Sequence, residues 1–127
     1  MNTKEIAHEL LKNSTNVHLK AFIETYISHL PSLEQETCNE MGLVRLHRCI
    51  TYLHQTNFDV TGWMMFEIPS YESHCFLNEQ TDGFFDLAVF EDKHVEPQYL
   101  DGNGYLQKAE TIEEAINKYI LPDLPEN

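Results

Sequence analysis

The feature that most constrains the fold is a change of hydrophobic period near Phe58. Between Leu19 and Leu30 the apolar residues recur at i, i+3, i+4, i+7, i+8 and i+11, which is the period of a helix. From Phe58 to Ile68 one face carries mainly apolar side chains at every second position, which predicts a half-buried strand that ends at Pro69. Helices followed by strands favour an α+β fold.

Local signals place the predicted helices before this change. Asn2 and Glu5 have the spacing of a capping box and predict the start of a first helix. Pro31 is expected to end the second helix because proline removes a backbone donor and clashes with the preceding turn. Ser32 and Gln35 resemble a cap for a third helix.

Further strands are predicted after the change of period. Ser73–Asn78 and Gly83–Glu91 read as the second and third strands. The Asp-Gly-Asn-Gly sequence at 101–104 is a strong turn signal between short strands near Gln98–Leu100 and Tyr105–Lys108. An antiparallel sheet is therefore expected.

A closing helix is predicted from Thr111, because Glu114 follows three residues later, and Leu121-Pro122 should end it. The 127 residues fit one domain, with helices over about 1–56 and the sheet and closing helix over about 57–127. The predicted class is α+β: N-terminal helices, an antiparallel sheet and a C-terminal helix.

The net charge of −13 is distributed unevenly along the chain. Residues 1–56 hold six acids and five bases, whereas residues 57–127 hold fifteen acids and three bases, which gives net charges of −1 and −12. Such a surface repels nucleic acid and anionic lipid and attracts a basic partner within roughly 8 Å at physiological salt. We therefore expect a basic protein as partner, and neither nucleic acid nor membrane.

Carboxylates and aromatic rings alternate within the acidic part and form the candidate partner-binding surface. Aromatic anchors supply contact energy, while carboxylates steer a basic partner and raise the association rate. The competing interpretation is an ordinary solvated sheet whose rings all point inward. The predicted partner-binding residues are Asp82, Phe84, Asp86, Glu91, Asp92, Glu96, Tyr99, Asp101 and Tyr105.

Asp86 has two possible interpretations of its own. It shares a predicted strand face with Phe84 and Phe90, where desolvation would raise the pKa of its carboxyl group. That face is either the solvent side of an edge strand or a contact surface.

Signals for catalysis and for zinc are weak. Cys49 has Arg45 and Arg48 nearby and is the best candidate for a lowered thiol pKa, but no triad or oxyanion loop accompanies it. Cys38, His47, Cys49 and His54 fall on one predicted helix without the convergence that zinc requires. We expect no enzyme activity, no cofactor and no metal site.

A calcium loop is the one metal interpretation that stays open. Asp101, Asn103, Gly104 and Glu110 match positions 3, 5, 6 and 12 of an EF-hand loop. Tyr99 occupies position 1, where an EF-hand has Asp. A hairpin turn followed by a capped helix explains the same residues.

Cysteine usage and hydropathy indicate the compartment. The three cysteines are odd in number and unclustered, which favours a reducing environment. The longest apolar run, Trp63–Phe66, is too short to span a membrane, and no signal-peptide core is visible at the N-terminus. A cytoplasmic location is expected.

The profile of size, acidity, helical part, sheet and closing helix resembles the immunity proteins of bacterial toxin–immunity systems, including those of contact-dependent growth inhibition. The resemblance implies tight binding to one cognate toxin domain, often a basic nuclease. The carboxylates would then occupy the space of substrate phosphates.

Three alternatives remain. The first is a nucleic-acid mimic that inhibits a DNA-binding protein. The second is a small metal-binding regulator or enzyme that uses Asp86 or the Asp101–Glu110 loop. The third is weak head-to-tail self-association, in which the acidic part pairs with the N-terminal bases Lys12, Lys20, Arg45 and Arg48.

Overall fold

The computed structural model describes residues 1–66 and 73–120. These residues form an α+β fold in which three helices precede a five-stranded antiparallel sheet of order β1-β2-β3-β4-β5 and one helix follows it, so the predicted class is confirmed. The elements are α1 (Thr3–Asn13), α2 (Val17–Glu34), α3 (Met41–Gln55), β1 (Trp63–Phe66), β2 (Ser73–Asn78), β3 (Gly83–Val89), β4 (Val95–Leu100), β5 (Leu106–Lys108) and α4 (Ile112–Lys118).

The caps of α1 and α4 are those that the sequence predicts. Asn2 Oδ1 accepts from the Glu5 backbone N–H at 2.8 Å, and Glu5 Oε1 accepts from the Asn2 N–H at 3.4 Å. Thr111 Oγ1 accepts from the Glu114 N–H at 3.0 Å. Each bond satisfies a donor that a helix start leaves unpaired. The predicted stop at Leu121-Pro122 lies outside the described residues.

Pro31 does not end α2, and the prediction that it would is wrong. The helix continues through Pro31 to Glu34. Leu30 and Leu33 are 6% and 3% exposed, so burying this last turn offsets the one intrahelical hydrogen bond that proline removes.

The predicted cap at Ser32 and Gln35 is also wrong, because α3 begins at Met41, after Glu40, whose side chain makes no capping bond. Cys38 therefore precedes the helix instead of sharing it with the other candidate zinc ligands.

The first strand starts later than its alternation predicts. Gly62 has φ +83°, a conformation that favours glycine, and the Trp63 N–H donates to the Val60 carbonyl at 3.0 Å across a turn. The alternation thus begins only at Trp63, and Trp63 and Met65 enter the core while Phe66 is 42% exposed. Ile68 and Pro69 lie outside the described residues.

One core joins the helices to one face of the sheet. Phe76 and Phe85 lie opposite each other on β2 and β3, and their rings stack at 4.8 Å. Leu87, on β3, and Ile112, on α4, belong to the same buried cluster as the apolar stripes of α1, α2 and α3. Since successive strand residues point to opposite faces, the neighbours of the core residues in each strand lie on the second face. No helix among the described residues is long and apolar enough to cross a membrane.

Candidate protein-binding surface

The predicted binding residues lie at both ends of the sheet. Because the strands are antiparallel, the β2–β3 and β4–β5 turns share one end, which holds Asp82, Asp101 and Tyr105. The β3–β4 turn, with Glu91 and Asp92, lies at the opposite end. The seven residues of β3 separate the two ends by about 20 Å. The predicted set is therefore not one continuous surface.

Asp86 is buried, and its prediction as a partner-binding residue is wrong. It lies in the middle of β3, the central strand, and is 0% exposed. Cys75, its direct neighbour on β2, donates an S–H···O hydrogen bond to Asp86 Oδ1 at 3.2 Å. Its face is thus neither the solvent side of an edge strand nor an open contact surface.

Three further predicted residues contact their own chain. The Glu96 side chain is 13% exposed and lies 3.2 Å from Lys108 Nζ, so its charge already has a partner. The half-buried Tyr99 ring packs against the core, with Lys118 Nζ 5.9 Å from its centroid. The half-buried Phe84 ring packs against Tyr119 at 5.2 Å. Both rings contribute to the fold.

Of the remaining residues, Asp82, Asp101 and Tyr105 lie at the end of the sheet that the β2–β3 and β4–β5 turns share, whereas Glu91 and Asp92 lie at the opposite end. Tyr105, Leu106 and Ile120 are 68%, 43% and 56% exposed. Ile120 follows α4, and its backbone N–H donates to the Leu100 carbonyl at 3.2 Å, which holds it beside the β4–β5 turn. We call this surface the acidic end, and it consists of Glu79, Asp82, Asp101, Tyr105, Leu106 and Ile120.

Three members of the acidic end were not in the predicted set. Glu79 lies in the β2–β3 turn, and its position in the loop was the only available signal. The periodicity of the closing helix assigns Ile120 to an apolar face, so its exposure was not predictable. Leu106 falls in a predicted strand of three or four residues, which is too short for its alternation to show which face is buried.

Hydrogen bonds within the β4–β5 hairpin stabilise the ionised form of the Asp101 carboxylate. Its Oδ1 accepts from the backbone N–H groups of Asn103 at 2.8 Å and Tyr105 at 3.0 Å, and its Oδ2 accepts from Gln107 Nε2 at 2.9 Å. The Gln107 hydrogen bond, followed by the backbone bonds, lowers the pKa of Asp101. The carboxylate therefore stays negative at neutral pH.

The same bonds give the Asp101–Glu110 loop the form of a hairpin rather than an EF-hand. Tyr99 is part of β4, and β5 lies between the turn and Glu110. The Glu110 backbone N–H donates to Glu114 Oε2 at 3.1 Å beside the start of α4. Within residues 1–66 and 73–120, no three His, Cys, Asp or Glu side chains converge as metal ligands.

The strand β5 leaves one edge of the sheet exposed. The Ala109 N–H donates to the Pro97 carbonyl, and the Asp101 N–H donates to the Tyr105 carbonyl, both at 2.9 Å. In an antiparallel ladder the residues between such pairs turn their backbone groups outward. The backbone groups of Leu106 and Lys108 therefore point away from β4.

Cys49 does not have the setting of a nucleophile. It is 0% exposed, and its Sγ lies 3.3 Å from Nδ1 of His74. Burial, with a smaller contribution from the charge of Asp86, raises the pKa of the Cys49 thiol. The nucleophilic thiolate is consequently suppressed.

The acidic end combines ionised carboxylates, exposed apolar side chains and an adjacent open strand edge, which are the ingredients of a protein contact. Comparison with family models, with curated proteins and with solved structures gives no match to this chain.

Proposed function

We propose that the protein is an immunity-type inhibitor that binds and neutralises a basic toxin domain, such as a nuclease, through the acidic end. The observation that carries the proposal is the exposure of Tyr105, Leu106 and Ile120 around the ionised Asp101. Exposed apolar side chains grouped within a polar rim are typical of binding surfaces.

The charge of this surface favours a basic partner. Glu79 and Asp82 are exposed and form no ion pair within the described part of the chain. Their field adds to the net charge of −12 carried by residues 57–127. Such carboxylates accelerate encounter with a basic protein, and close charge pairs at a well-formed interface contribute about 1.5–7 kcal/mol each.

The strand edge offers a second mode of contact. An extended segment of the partner would pair with the outward backbone groups of Leu106 and Lys108 by strand addition. The positive charge of Lys108 on this edge disfavours pairing with another copy of the same edge.

The proposed mechanism is steric and electrostatic occlusion, with no chemical step in the inhibitor. A nuclease binds the phosphates of its substrate with basic side chains. The carboxylates of the acidic end would occupy that basic site and exclude the substrate. The three free cysteines support a reducing compartment, in keeping with the proposed cytoplasmic location.

A protection assay tests this proposal. The protein is co-expressed in turn with each growth-inhibiting protein domain that is encoded beside its own gene, and growth is measured. Asp82→Asn with Asp101→Asn removes two charges while keeping side-chain oxygens for the turns. Glu9→Gln with Glu24→Gln makes the same charge change on the helices.

The expected result is full protection by the wild type and the helix variant, and reduced protection by the acidic-end variant. Equal protection by both variants would remove the acidic end from the mechanism. Absence of protection by the wild type would reject the immunity function itself.

A nucleic-acid mimic is the weaker candidate. It needs carboxylates spaced along one surface like phosphates, whereas Asp82 and Asp92 lie at opposite ends of β3 and Asp86, between them, is buried. The metal-binding alternative at Asp86 would need an opening of the sheet, since this carboxylate is not exposed.

A further inference from the structure

A second candidate site lies at the end of the sheet opposite the acidic end. It is a cleft of about 440 Å³ between α3 and the β3–β4 turn. We call it the basic cleft. Its lining residues include Arg48, Thr51, Tyr52 and Gln55 from α3, and Lys93 and His94 from the turn.

Arg48 and Lys93 give this cleft its positive character. Arg48 forms no ion pair within the described part of the chain. Lys93 Nζ lies 3.8 Å from Glu36 Oε2, but both side chains are mostly exposed, at 59% and 73%, so this pair is weak. The same two cations also line two smaller adjoining depressions.

The imidazole of His47 adds little positive charge to the cleft at neutral pH. Burial lowers the pKa of His47, and Nδ1 of its ring is hydrogen-bonded to the Tyr26 hydroxyl at 3.0 Å. His94 stacks on Phe90 at 4.5 Å and binds the Asp92 carboxylate through Nδ1. Arg48 and Lys93 are therefore the two permanently charged cations of the cleft.

Thr51 supplies an independent indication of a ligand. Its Oγ1 is buried at the cleft and has no hydrogen-bond partner among the described residues. Folded proteins rarely leave a buried hydroxyl unsatisfied, and a small movement of the Thr51 side chain toward the cleft would let a bound polar group complete its hydrogen bonding. The neighbouring Tyr52 is a donor, since burial and then the charge of Glu113 raise the pKa of its hydroxyl.

We propose that the basic cleft binds a phosphate monoester of about nucleotide size. The guanidinium of Arg48 suits the fork-like recognition of phosphate oxygens, and the Lys93 ammonium adds a point charge. The volume exceeds that of a free phosphate and lies in the range of small-molecule sites. Thr51, Tyr52 and Gln55 would contact the rest of the ligand, and Glu36 would accept from a sugar hydroxyl.

Calorimetric titration of the full chain with four nucleoside 5′-monophosphates, their uncharged nucleosides and inorganic phosphate tests the site. The site variant is Arg48→Gln with Lys93→Gln. The matched control is Lys4→Gln with Lys12→Gln, which makes the same charge change on α1, away from the cleft. We expect at least one monophosphate to bind about tenfold more tightly than its nucleoside, and the site variant alone to lose about tenfold in affinity.

Three results would overturn the proposal: no binding of any monophosphate at millimolar concentration, equal weakening by the α1 control, or inorganic phosphate binding as tightly as the nucleotides. Thr51→Val, which keeps the side-chain shape, provides a second variant and is expected to weaken binding several-fold without unfolding the protein. The toxin-protection assay is independent, because the cleft variant keeps an intact acidic end.

Discussion

Cys75 and Asp86 face each other across β2 and β3, and the Cys75 thiol donates to Asp86 Oδ1 at 3.2 Å within the sheet. Asp86 is 0% exposed and Cys75 is 6% exposed. The carboxylate is thus part of the internal polar structure of the central strand, and its hydrogen bonds are shielded from water.

Asp86→Asn is expected to destabilise the fold by about 1–3 kcal/mol, because an amide replaces a buried acceptor with a group that is half donor. Asp82→Asn, in the exposed turn just before β3, should change the free energy of unfolding by less than about 0.5 kcal/mol. Urea denaturation of both variants measures the difference. Equal free energies of unfolding for the two variants would contradict the expected contribution of the buried Asp86 carboxylate to stability.

The thiols should react in two classes. Cys49 and Cys75 are buried, and desolvation followed by the charge of Asp86 raises both thiol pKa values, whereas Cys38 is half-buried and precedes α3. A thiol reagent at about pH 8 should therefore modify one site rapidly in the native protein and three after denaturation. The rapid phase should vanish in Cys38→Ser, and its persistence there would contradict the burial of the other two.

Stability should fall as the pH drops because of His74. Burial, and then the charge of Arg45, lower the pKa of its imidazole to about 4, below that of an unfolded histidine. Between these two values the unfolded chain binds the proton and the folded one does not, so acid favours unfolding. The free energy of unfolding therefore keeps its full value, as far as His74 is concerned, above about pH 6.5. It falls by roughly 2–3 kcal/mol as the pH drops to about 4.

Urea denaturation at several pH values tests this dependence. His74→Gln should flatten the slope over that range, while His54→Gln, at an exposed position near the end of α3, should leave it unchanged. An unchanged slope in His74→Gln would assign the acid sensitivity to other groups.

Features determined by neighbouring residues were predictable from the sequence. The caps at Asn2 and Thr111 and the β4–β5 turn depend on groups a few residues apart. The passage of α2 through Pro31 was not predictable, because it depends on the burial of Leu33 against distant parts of the chain.

The candidate site shows the same limit. Alternation correctly places Phe85, Leu87 and Val89 on one face of β3, but it does not show what covers the other face, where Asp86 is buried. Nor does proximity in sequence place Asp82 and Glu91 together, because one strand separates them. The charge imbalance predicted a basic partner, and the order of the strands determines where on the surface the carboxylates are exposed.

The apolar members of the acidic end should slow dissociation of the proposed complex. Tyr105→Ala is expected to raise the dissociation rate from the toxin domain by about tenfold or more, as for an aromatic anchor at an interface. Val17→Ala, which truncates a side chain that is 76% exposed at the start of α2, is the control and should have no effect. Surface plasmon resonance measures both rates, and equal rates would exclude Tyr105 as an anchor.

The most direct test of the acidic end is the association rate with that toxin domain, measured by stopped flow at increasing salt. The wild type and Glu9→Gln with Glu24→Gln should associate rapidly, with rates that fall steeply as salt rises. Asp82→Asn with Asp101→Asn should associate several-fold more slowly and with a flatter salt dependence. Identical rates and slopes for the two double variants would contradict the account.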